Sequence, residues 1–223
     1  IGFPQDGGEQ KPFSNLFYWA NAWSDNGGLI GEHPHKMFEI MSFVIDGELE
    51  HYDNKFDRWL PLAKGDAQII RSGSGISHAE KILGGGRMFQ IWFDPNIQKT
   101  MSQPATYDDY KSDEMHYFEE NGISTKNYIG NGGPIKMDSE GVEINEFTLS
   151  EGKHQMNLKA DKIYTYYMLS GKGALNDENL SEHDFIIIED ETSVEITVES
   201  ETILFSIAIP NQLTYKTYIE LVN

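Results

Sequence analysis

The fold of this chain is decided by two short stretches, His33-Pro34-His35-Lys36-Met37-Phe38-Glu39 and His78-Ala79-Glu80. Successive side chains of an extended strand alternate between its two faces. His33, His35 and Glu39 share one parity and are therefore predicted to point the same way. His78 and Glu80 share a face for the same reason. The two stretches predict a single site at which three imidazoles and a carboxylate converge.

This set of donors suits a divalent first-row metal. Nitrogen and oxygen ligands without a thiolate fit iron, manganese, nickel, copper or zinc, and the ligand types alone do not choose among them. The alternative is that each histidine is a surface or hydrogen-bonded core residue, which is the commoner role of a single histidine. Two tight clusters at strand spacing favour the metal site.

The surrounding sequence has the pattern of an all-β protein. The apolar residues run almost without a break from Met37 to Ile45, as in a strand buried on both faces, and Asp46-Gly47 then predicts a hairpin turn. Short strands separated by turn residues indicate a sandwich or barrel. In the first half these strands are predicted at 48–52, 58–62, 67–70, 77–82 and 88–93.

Two domains of this kind are predicted, with little helix. Residues 1–104 form the metal-binding barrel, with an irregular N-terminal segment at 1–32. Residues 105–122 are polar and acidic and are predicted to be a linker with one helical turn. Residues 123–223 form a second barrel, with strands predicted at 124–129, 142–149, 163–169, 184–188, 194–198 and 202–209.

The two halves look like a diverged duplication when aligned on their matching turns, Asp46-Gly47 and Ser170-Gly171. The second half offers no ligand pair, so it is predicted to keep the barrel and to lack the metal. His154 and His183 fall outside the ligand register and are predicted to lie mostly at the surface. The alignment places three residues opposite His33, His35 and Glu39, in that order: Asn157, Lys159 and Ile163.

Charge and composition exclude several classes of function. The formal net charge is −19 and the chain has no Lys/Arg cluster, which disfavours direct binding to nucleic acid and to anionic membranes. The chain has no cysteine, which excludes disulfides, zinc–thiolate sites and cysteine nucleophiles. No apolar run is long enough to span a membrane and no signal segment is present, although the chain starts at Ile1 rather than Met. A cytoplasmic location is the simpler expectation.

The two clusters and the turns between them resemble the motifs of the cupin superfamily and, more narrowly, of the pirin family. The family pattern is His-Pro-His-Arg-Gly-Phe-Glu, a His-x-Asp segment, and Ala-Gly-Arg-Gly-Ile-x-His-x-Glu. The resemblance covers most of residues 32–93. The matching segments of this chain are 33–39, His51-Tyr52-Asp53, Gly65-Asp66 and Gly73-Ser74-Gly75-Ile76-Ser77-His78-Ala79-Glu80.

The resemblance implies two cupin barrels with one mononuclear Fe(II) site in the first. The ligands that it implies are His33, His35, His78 and Glu80, with Glu39 beside them and His51 in a supporting role. Two departures put the family's substrate in doubt for this chain: Lys36-Met37 replaces Arg-Gly, and Ser74 replaces an arginine.

Some pirin-like proteins resemble quercetin dioxygenases, which open a flavonol ring with O₂. That activity would make a small aromatic molecule and O₂ the partners of this chain, with Glu80 or Glu39 taking the proton of the substrate's 3-hydroxyl. Phe17, Phe43 and Trp92 are candidates to line the pocket, although each also fits an ordinary core. Two alternatives stay open: a non-enzymatic, metal-dependent regulator that binds a protein partner, and a cupin enzyme with another small substrate.

Overall fold

The computed structural model describes residues 1–2, 8–54, 57–176 and 178–222, and almost all of their regular structure is β-strand. The first strands are β1 (Leu16–Ser24), β2 (Gly28–His35), β3 (Glu39–Asp46), β4 (Glu48–Asp53), β5 (Arg58–Ala63), β6 (Ala67–Arg71), β7 (Ile76–Ile82), β8 (Gly86–Phe93) and β9 (Thr106–Tyr110). The later strands are β10 (His116–Glu120), β11 (Ile123–Ile129), β12 (Glu143–Leu149), β13 (Gly152–Asn157), β14 (Lys162–Ser170), β15 (Lys172–Leu175), β16 (Glu178–Ser181), β17 (Phe185–Ile188), β18 (Ser193–Val198) and β19 (Thr202–Pro210). The helices are short: α1 (Ile97–Thr100), a 3₁₀ turn (Ser112–Glu114) and α2 (Tyr218–Val222).

The chain divides into two compact units, each built on two antiparallel sheets. The first unit comprises Ile1–Glu114, Met137–Glu140 and Leu213–Asn223. Its sheets have the strand orders β1-β8-β3-β6-β9 and β2-β7-β4-β5. The continuous apolar run predicted from Met37 forms β3, which lies between β8 and β6 and is buried from Glu39 to Val44. The second sheet carries both histidine clusters.

The second unit, Met115–Lys136 and Gly141–Gln212, repeats this plan. Its sheets have the orders β10-β11-β12-β19-β14-β17 and β13-β18-β15-β16. Here β14 lies between β19 and β17, as β3 lies between β8 and β6. The all-β prediction and the resemblance to tandem cupin barrels are confirmed.

The two units share a distinctive turn. β3 is followed by Gly47 with φ +64° and β14 is followed by Gly171 with φ +99°, the left-handed region in which glycine carries no steric penalty. A Cβ atom on Gly47 would lie 2.9 Å from the Gly86 Cα, so the close approach of the chains also requires glycine. Both strands carry a register irregularity just before this turn, between Val44 and Asp46 in β3 and between Met168 and Ser170 in β14.

The register of the second unit differs by one residue from the predicted alignment. Glu80 pairs with His51, four residues after Gly47, and Ile196 pairs with Leu175, four residues after Gly171. Ile196 therefore corresponds to Glu80. Counting back along β18, Val194 takes the place of His78, and its partner Met156, not Asn157, takes the place of His33. The connection from β13 to β14 is one residue longer than that from β2 to β3, which an ungapped alignment misses.

Other differences concern segments with weak patterns. The stretch 1–32, predicted to be irregular with one short strand, contains all of β1 and the start of β2, while its residues 3–7 lie outside the described residues. The predicted linker 105–122 contains β9, the 3₁₀ turn and β10, and residues 213–222 belong to the first unit rather than the second. Within the described residues, no helix is long and apolar enough to cross a membrane.

Asp94, directly after β8, holds the C-terminal segment in the first unit. Its Oδ2 accepts a hydrogen bond from the backbone N–H of Tyr218, the first residue of α2. Burial raises the pKa of Asp94 to about 6, Glu220 adds to the rise and the hydrogen bond from Tyr218 opposes it. The folded state thus holds this proton more tightly than the unfolded chain does.

We expect this carboxyl group to make the protein less stable as the pH rises. Because the folded pKa lies above 3.8, the stabilisation is full below about pH 4 and is lost as the pH rises through about 6. The substitution Asp94→Asn should remove this contribution. Between pH 5 and pH 8 the free energy of unfolding of the variant should therefore rise by roughly 1 kcal/mol relative to that of the wild type. Urea unfolding of both proteins at the two pH values measures the difference. An identical pH dependence in both would contradict the assignment.

Candidate metal centre

Three imidazoles meet on the sheet formed by β2, β7, β4 and β5. His33 and His35 lie on β2, and His78 lies directly opposite His33 on β7. One ring nitrogen from each of the three lies within 4.8 Å of the others, and the Nε2 atoms of His33 and His78 are 3.1 Å apart. The predicted convergence of the three imidazoles is therefore present in the structure.

The nitrogen atoms fit a shared metal ion. Two donors bound to one ion at about 2.1 Å in neighbouring positions lie about 3 Å apart, close to the separation of the His33 and His78 nitrogens. His33 Nδ1 lies 2.8 Å from the Gly31 carbonyl oxygen, which only accepts, so Nδ1 carries the hydrogen and Nε2 keeps its lone pair. His35 Nε2 is buried and has no hydrogen-bond partner among the described residues, a position that a metal ion would satisfy.

Burial keeps two of these rings neutral. Desolvation lowers the pKa of His35 to about 4, with a further contribution from His33. Desolvation also lowers the pKa of His78 to about 2, with contributions from His35, His51 and His33. The neutral imidazole is the form that binds metals, so both side chains are ready to bind near neutral pH without first releasing a proton.

Glu80 brings a carboxylate close to His78, in a second candidate group of ligands that also contains His51. It follows His78 by two residues on β7 and so faces the same side of the sheet. Its Oε1 accepts a hydrogen bond of 2.9 Å from the Ser42 hydroxyl, and its Oε2 accepts one of 2.5 Å from the Gln90 amide. Burial raises the pKa of Glu80, and these hydrogen bonds together with His33 oppose the rise.

His51 lies closer to this centre than its predicted supporting role required. One of its ring nitrogens lies within 4.8 Å of donor atoms of His78 and Glu80. Its ring is stacked on Tyr107, with centroids 4.8 Å apart, and its Nε2 is 3.4 Å from Asp53 Oδ2. Desolvation lowers the pKa of His51, against the opposing effect of Asp53 and other acidic groups. The two candidate groups of ligands therefore share His78.

Glu39 lies apart from the histidine cluster. The chain turns between β2 and β3 at Met37, whose φ is +74°, so the strand parity that predicted a common face does not extend to Glu39. Its carboxylate accepts hydrogen bonds of 2.6 to 2.7 Å from the backbone N–H groups of Asp138 and Ser139 and from the Ser139 hydroxyl. Among the described residues, the groups able to hold a metal do not include Glu39. Its position fits an anchor for the segment Met137–Glu140 rather than a base beside the metal.

Only one of the three candidate pocket aromatics touches the cluster. Trp92 lies edge-on to His35 with centroids 4.6 Å apart, and its indole N–H donates to Gln90 Oε1 at 3.3 Å. Phe17 packs in a buried cluster that also contains Trp92, while Phe43 is fully buried in β3. Phe17 and Phe43 are thus core residues, and Trp92 forms one wall of the site.

The two histidines of the second unit that lie outside the ligand register have different environments. His154 is buried and its Nε2 donates to the Ser150 carbonyl oxygen at 2.7 Å, so its predicted surface role is wrong. His183 is exposed in a turn, 3.7 Å from Glu182. Neither belongs to a group that could hold a metal within the part of the chain that the structure describes.

Ser42 and Gln90 are the site residues that sequence reasoning missed. They face each other across β3 and β8, and both hydrogen-bond to Glu80. A single serine or glutamine in a buried strand carries no distinctive pattern. Only the pairing of the two strands, which depends on contacts distant in sequence, reveals them.

We expect Gln90→Met, which keeps the length of the side chain, to weaken metal binding by about tenfold to a hundredfold, because the Glu80 carboxylate loses the donor that orients it. Competition with a chromophoric chelator measures the affinity. Gln68→Met is the matched control, since Gln68 is a buried glutamine that bonds Tyr107 and Asp109 instead. Equal metal affinities of Gln90→Met and the wild type would show that Gln90 does not support metal binding.

Comparison with known proteins agrees with this geometry. A family model described as Pirin matches residues 9–93. A pirin-like protein of Caulobacter vibrioides is 45% identical over 65 residues, which is 28% of this chain and 28% of that protein. A putative quercetin 2,3-dioxygenase of Pseudomonas aeruginosa is 25% identical over 214 residues, covering 90% of this chain and 86% of that protein. The crystal structure of the bacterial pirin YhhW from Escherichia coli in complex with nickel(II) superposes with a TM-score of 0.74 at 22% identity, covering 91% of this chain and 85% of that one.

These matches differ in what they cover. The segment matched in the Caulobacter vibrioides protein spans less than a third of that protein. The likeness to YhhW, at 22% identity, concerns the fold and extends over both barrels. The Pirin model covers β1 to β8 and both histidine clusters. The chain is therefore similar to pirins over residues 9–93, which is less than half of its length.

Proposed function

We propose that the chain is a metal-dependent dioxygenase that opens a flavonol such as quercetin with O₂. The observation that carries the proposal is the convergence of the His33, His35 and His78 imidazoles on the β2-β7-β4-β5 sheet, where His78 also lies in a second candidate group with His51 and the buried carboxylate of Glu80. The overall similarity to a putative quercetin 2,3-dioxygenase supports the choice of substrate class.

In this proposal His33, His35, His78 and Glu80 hold one divalent metal ion, with Fe(II) as the first choice. YhhW binds nickel(II) in its crystal structure, and nickel, manganese, copper and zinc also suit these donors. When bound, the ion supplies positive charge that favours the oxyanion of the substrate's 3-hydroxyl and a centre for reaction with O₂. Four protein ligands leave up to two positions of an octahedral ion open.

The protein's own contribution is orientation and proton transfer. Glu80 takes the proton from the substrate hydroxyl as the general base. Ser42 and Gln90 hold its two oxygens in place. Trp92 packs against His35 and excludes water from that side of the cluster.

The test is to prepare the protein anaerobically with Fe(II), add quercetin and O₂, and follow the flavonol absorbance together with metal content. The expected result is loss of absorbance that scales with bound metal, with one carbon monoxide released per O₂ consumed. Parallel samples with nickel and manganese identify the productive ion, and metal-free protein is the control. Full metal occupancy without turnover of quercetin would overturn the proposed activity.

A non-enzymatic role is the second candidate. The net charge of −19 suits a basic protein partner, and Ser74 stands where the family pattern has an arginine. In this case the metal state would alter the surface presented to a partner. Full metal occupancy without turnover, together with a metal-dependent change in binding to a basic protein, would favour this candidate.

A further inference from the structure

Two pairs of buried side chains face each other across the strands β4 and β7. His51 lies directly opposite Glu80, and Asp53 lies directly opposite His78. Because residues two positions apart on a strand share a face, all four side chains point to the same side of the sheet. Each of the four residues is at most 3% exposed. The first barrel thus buries a fourth imidazole, that of His51, beside His78 and Glu80.

His51 has the surroundings of a metal-binding histidine. The Oδ2 atom of Asp53 lies 3.4 Å from its Nε2, so this carboxylate favours the tautomer that carries the hydrogen on Nε2. Histidines that bind metals commonly have such a carboxylate at the other ring nitrogen. In this tautomer Nδ1 keeps its lone pair, and among the described residues it has no hydrogen-bond partner. The ring is stacked on Tyr107, which fixes its orientation.

The Glu80 carboxylate is buried beside this ring without a cationic side chain. Its two hydrogen-bond donors, Ser42 and Gln90, are uncharged. Among the described residues, no lysine or arginine forms an ion pair with Glu80. A buried carboxylate is costly unless it is protonated or lies beside a cation. One donor atom each from Glu80, His51 and His78 lies within 4.8 Å of the others, so the three are able to hold one cation.

We propose that His51, His78 and Glu80 form an inner position for the metal ion. The outer position is the one to which His33 and His35 contribute. This inference rests on the proposed metal centre and adds His51 to its ligands. A neutral imidazole has a single lone pair, so His78 binds one ion at a time and the two positions are alternatives. The chain still binds one ion, whose position depends on the donors that the ion prefers.

The two positions differ in their donors and therefore in the ion that they favour. The outer position is rich in imidazole nitrogens, which suit nickel, whereas the inner position has fewer imidazoles beside its carboxylate, and carboxylates suit manganese. Manganese binds more weakly than nickel to a given set of donors. The inner position is therefore expected to fill when manganese is supplied and to lose its ion during purification. The identity of the ion then decides which histidines bind it.

The test measures the affinity of the full chain for manganese(II) and for nickel(II) separately, in His51→Phe and in His33→Phe. Phenylalanine keeps a flat ring but removes both nitrogen donors. The EPR signal of the free aqueous ion reports manganese binding, and competition with a chromophoric chelator reports nickel binding. We expect His51→Phe to weaken manganese binding by at least about tenfold and to change nickel binding by less than about twofold. His33→Phe should show the reverse.

His154→Phe is the matched control, because His154 is a buried histidine that belongs to no group able to hold a metal among the described residues. It should leave both affinities unchanged. Retained nickel binding in His51→Phe shows that the variant is folded. If the phenyl ring prevents folding, His51→Gln tests the same position, since its amide is a weaker ligand and should reduce manganese affinity alone.

Opposite metal preferences of the two variants support the proposal. Equal weakening of both ions in His51→Phe and in His33→Phe would overturn it, because the ion would then have a single position. Unchanged manganese affinity in folded His51→Phe would overturn it as well. A wild type that binds neither ion would contradict the proposed metal centre itself. Because no step measures turnover, failure of the proposed dioxygenase activity leaves this test intact.

Discussion

Replacing His35 with alanine is expected to abolish stoichiometric metal binding and to leave the fold intact. His35 supplies a buried ring nitrogen that has no hydrogen-bond partner among the described residues, and its loss removes one of the three ring nitrogens that lie within 4.8 Å of one another. Elemental analysis of the purified variant should show metal near background, whereas the wild type carries about one ion per chain. Circular dichroism should be unchanged from that of metal-free wild type.

His116→Ala is the control for this experiment, because His116 is exposed on β10 and belongs to no group able to hold a metal among the described residues. It should retain the full metal content. Quercetin turnover, if present in the wild type, should vanish in His35→Ala and persist in His116→Ala. Full metal content in His35→Ala would show that the three-histidine group is not the metal site.

The substitution Glu80→Gln tests the role of the proposed carboxylate ligand independently of the three histidines. The amide is almost the same size as the carboxylate but is a weaker ligand and cannot accept a proton as a carboxylate does. We expect metal affinity to fall by at least about tenfold, and turnover per bound metal to fall to background. Metal titration and oxygen consumption at saturating metal measure the two effects independently.

Glu39→Gln is the matched control, since Glu39 is the other deeply buried glutamate of the first unit. Its carboxylate binds the segment at Asp138 and Ser139, so the variant should lose about 1 to 3 kcal/mol of stability and keep its metal affinity. Loss of turnover in Glu39→Gln, with turnover retained in Glu80→Gln, would instead show that Glu39 is the general base.

The histidine cluster could be predicted because the residues that form each half of it are close together in the sequence. Residues two positions apart on a strand lie on the same face. His33 and His35, and likewise His78 and Glu80, could therefore be predicted to share a face without a structure. The same reasoning was wrong for Glu39, because the chain leaves the strand at Met37, and neither Met37 nor its direct neighbours Lys36 and Phe38 is a glycine or proline that would mark the turn. Parity arguments hold within one strand and end where the strand ends.

What could not be predicted depends on contacts between distant parts of the chain. Gln90 is part of the site only because β8 pairs with β3, and its partner Ser42 is forty-eight residues away in sequence. Met156 takes the place of His33 because the connection between β13 and β14 has one residue more than that between β2 and β3. Aligning the two turns does not reveal this difference in length.

The interleaved order of the units, with residues 1–114, 137–140 and 213–222 in the first, has a consequence for biosynthesis. When the ribosome has translated residues 1–114, the buried carboxylate of Glu39 still lacks Asp138 and Ser139, and Asp94 still lacks Tyr218. The barrel that begins first is therefore completed last, after the whole of the second barrel has been synthesised. A growing chain would hold His33, His35, His78 and Glu80 in an unfinished barrel throughout that interval, so a metal ion captured by these proposed ligands during translation would bind before the final closure of the domain.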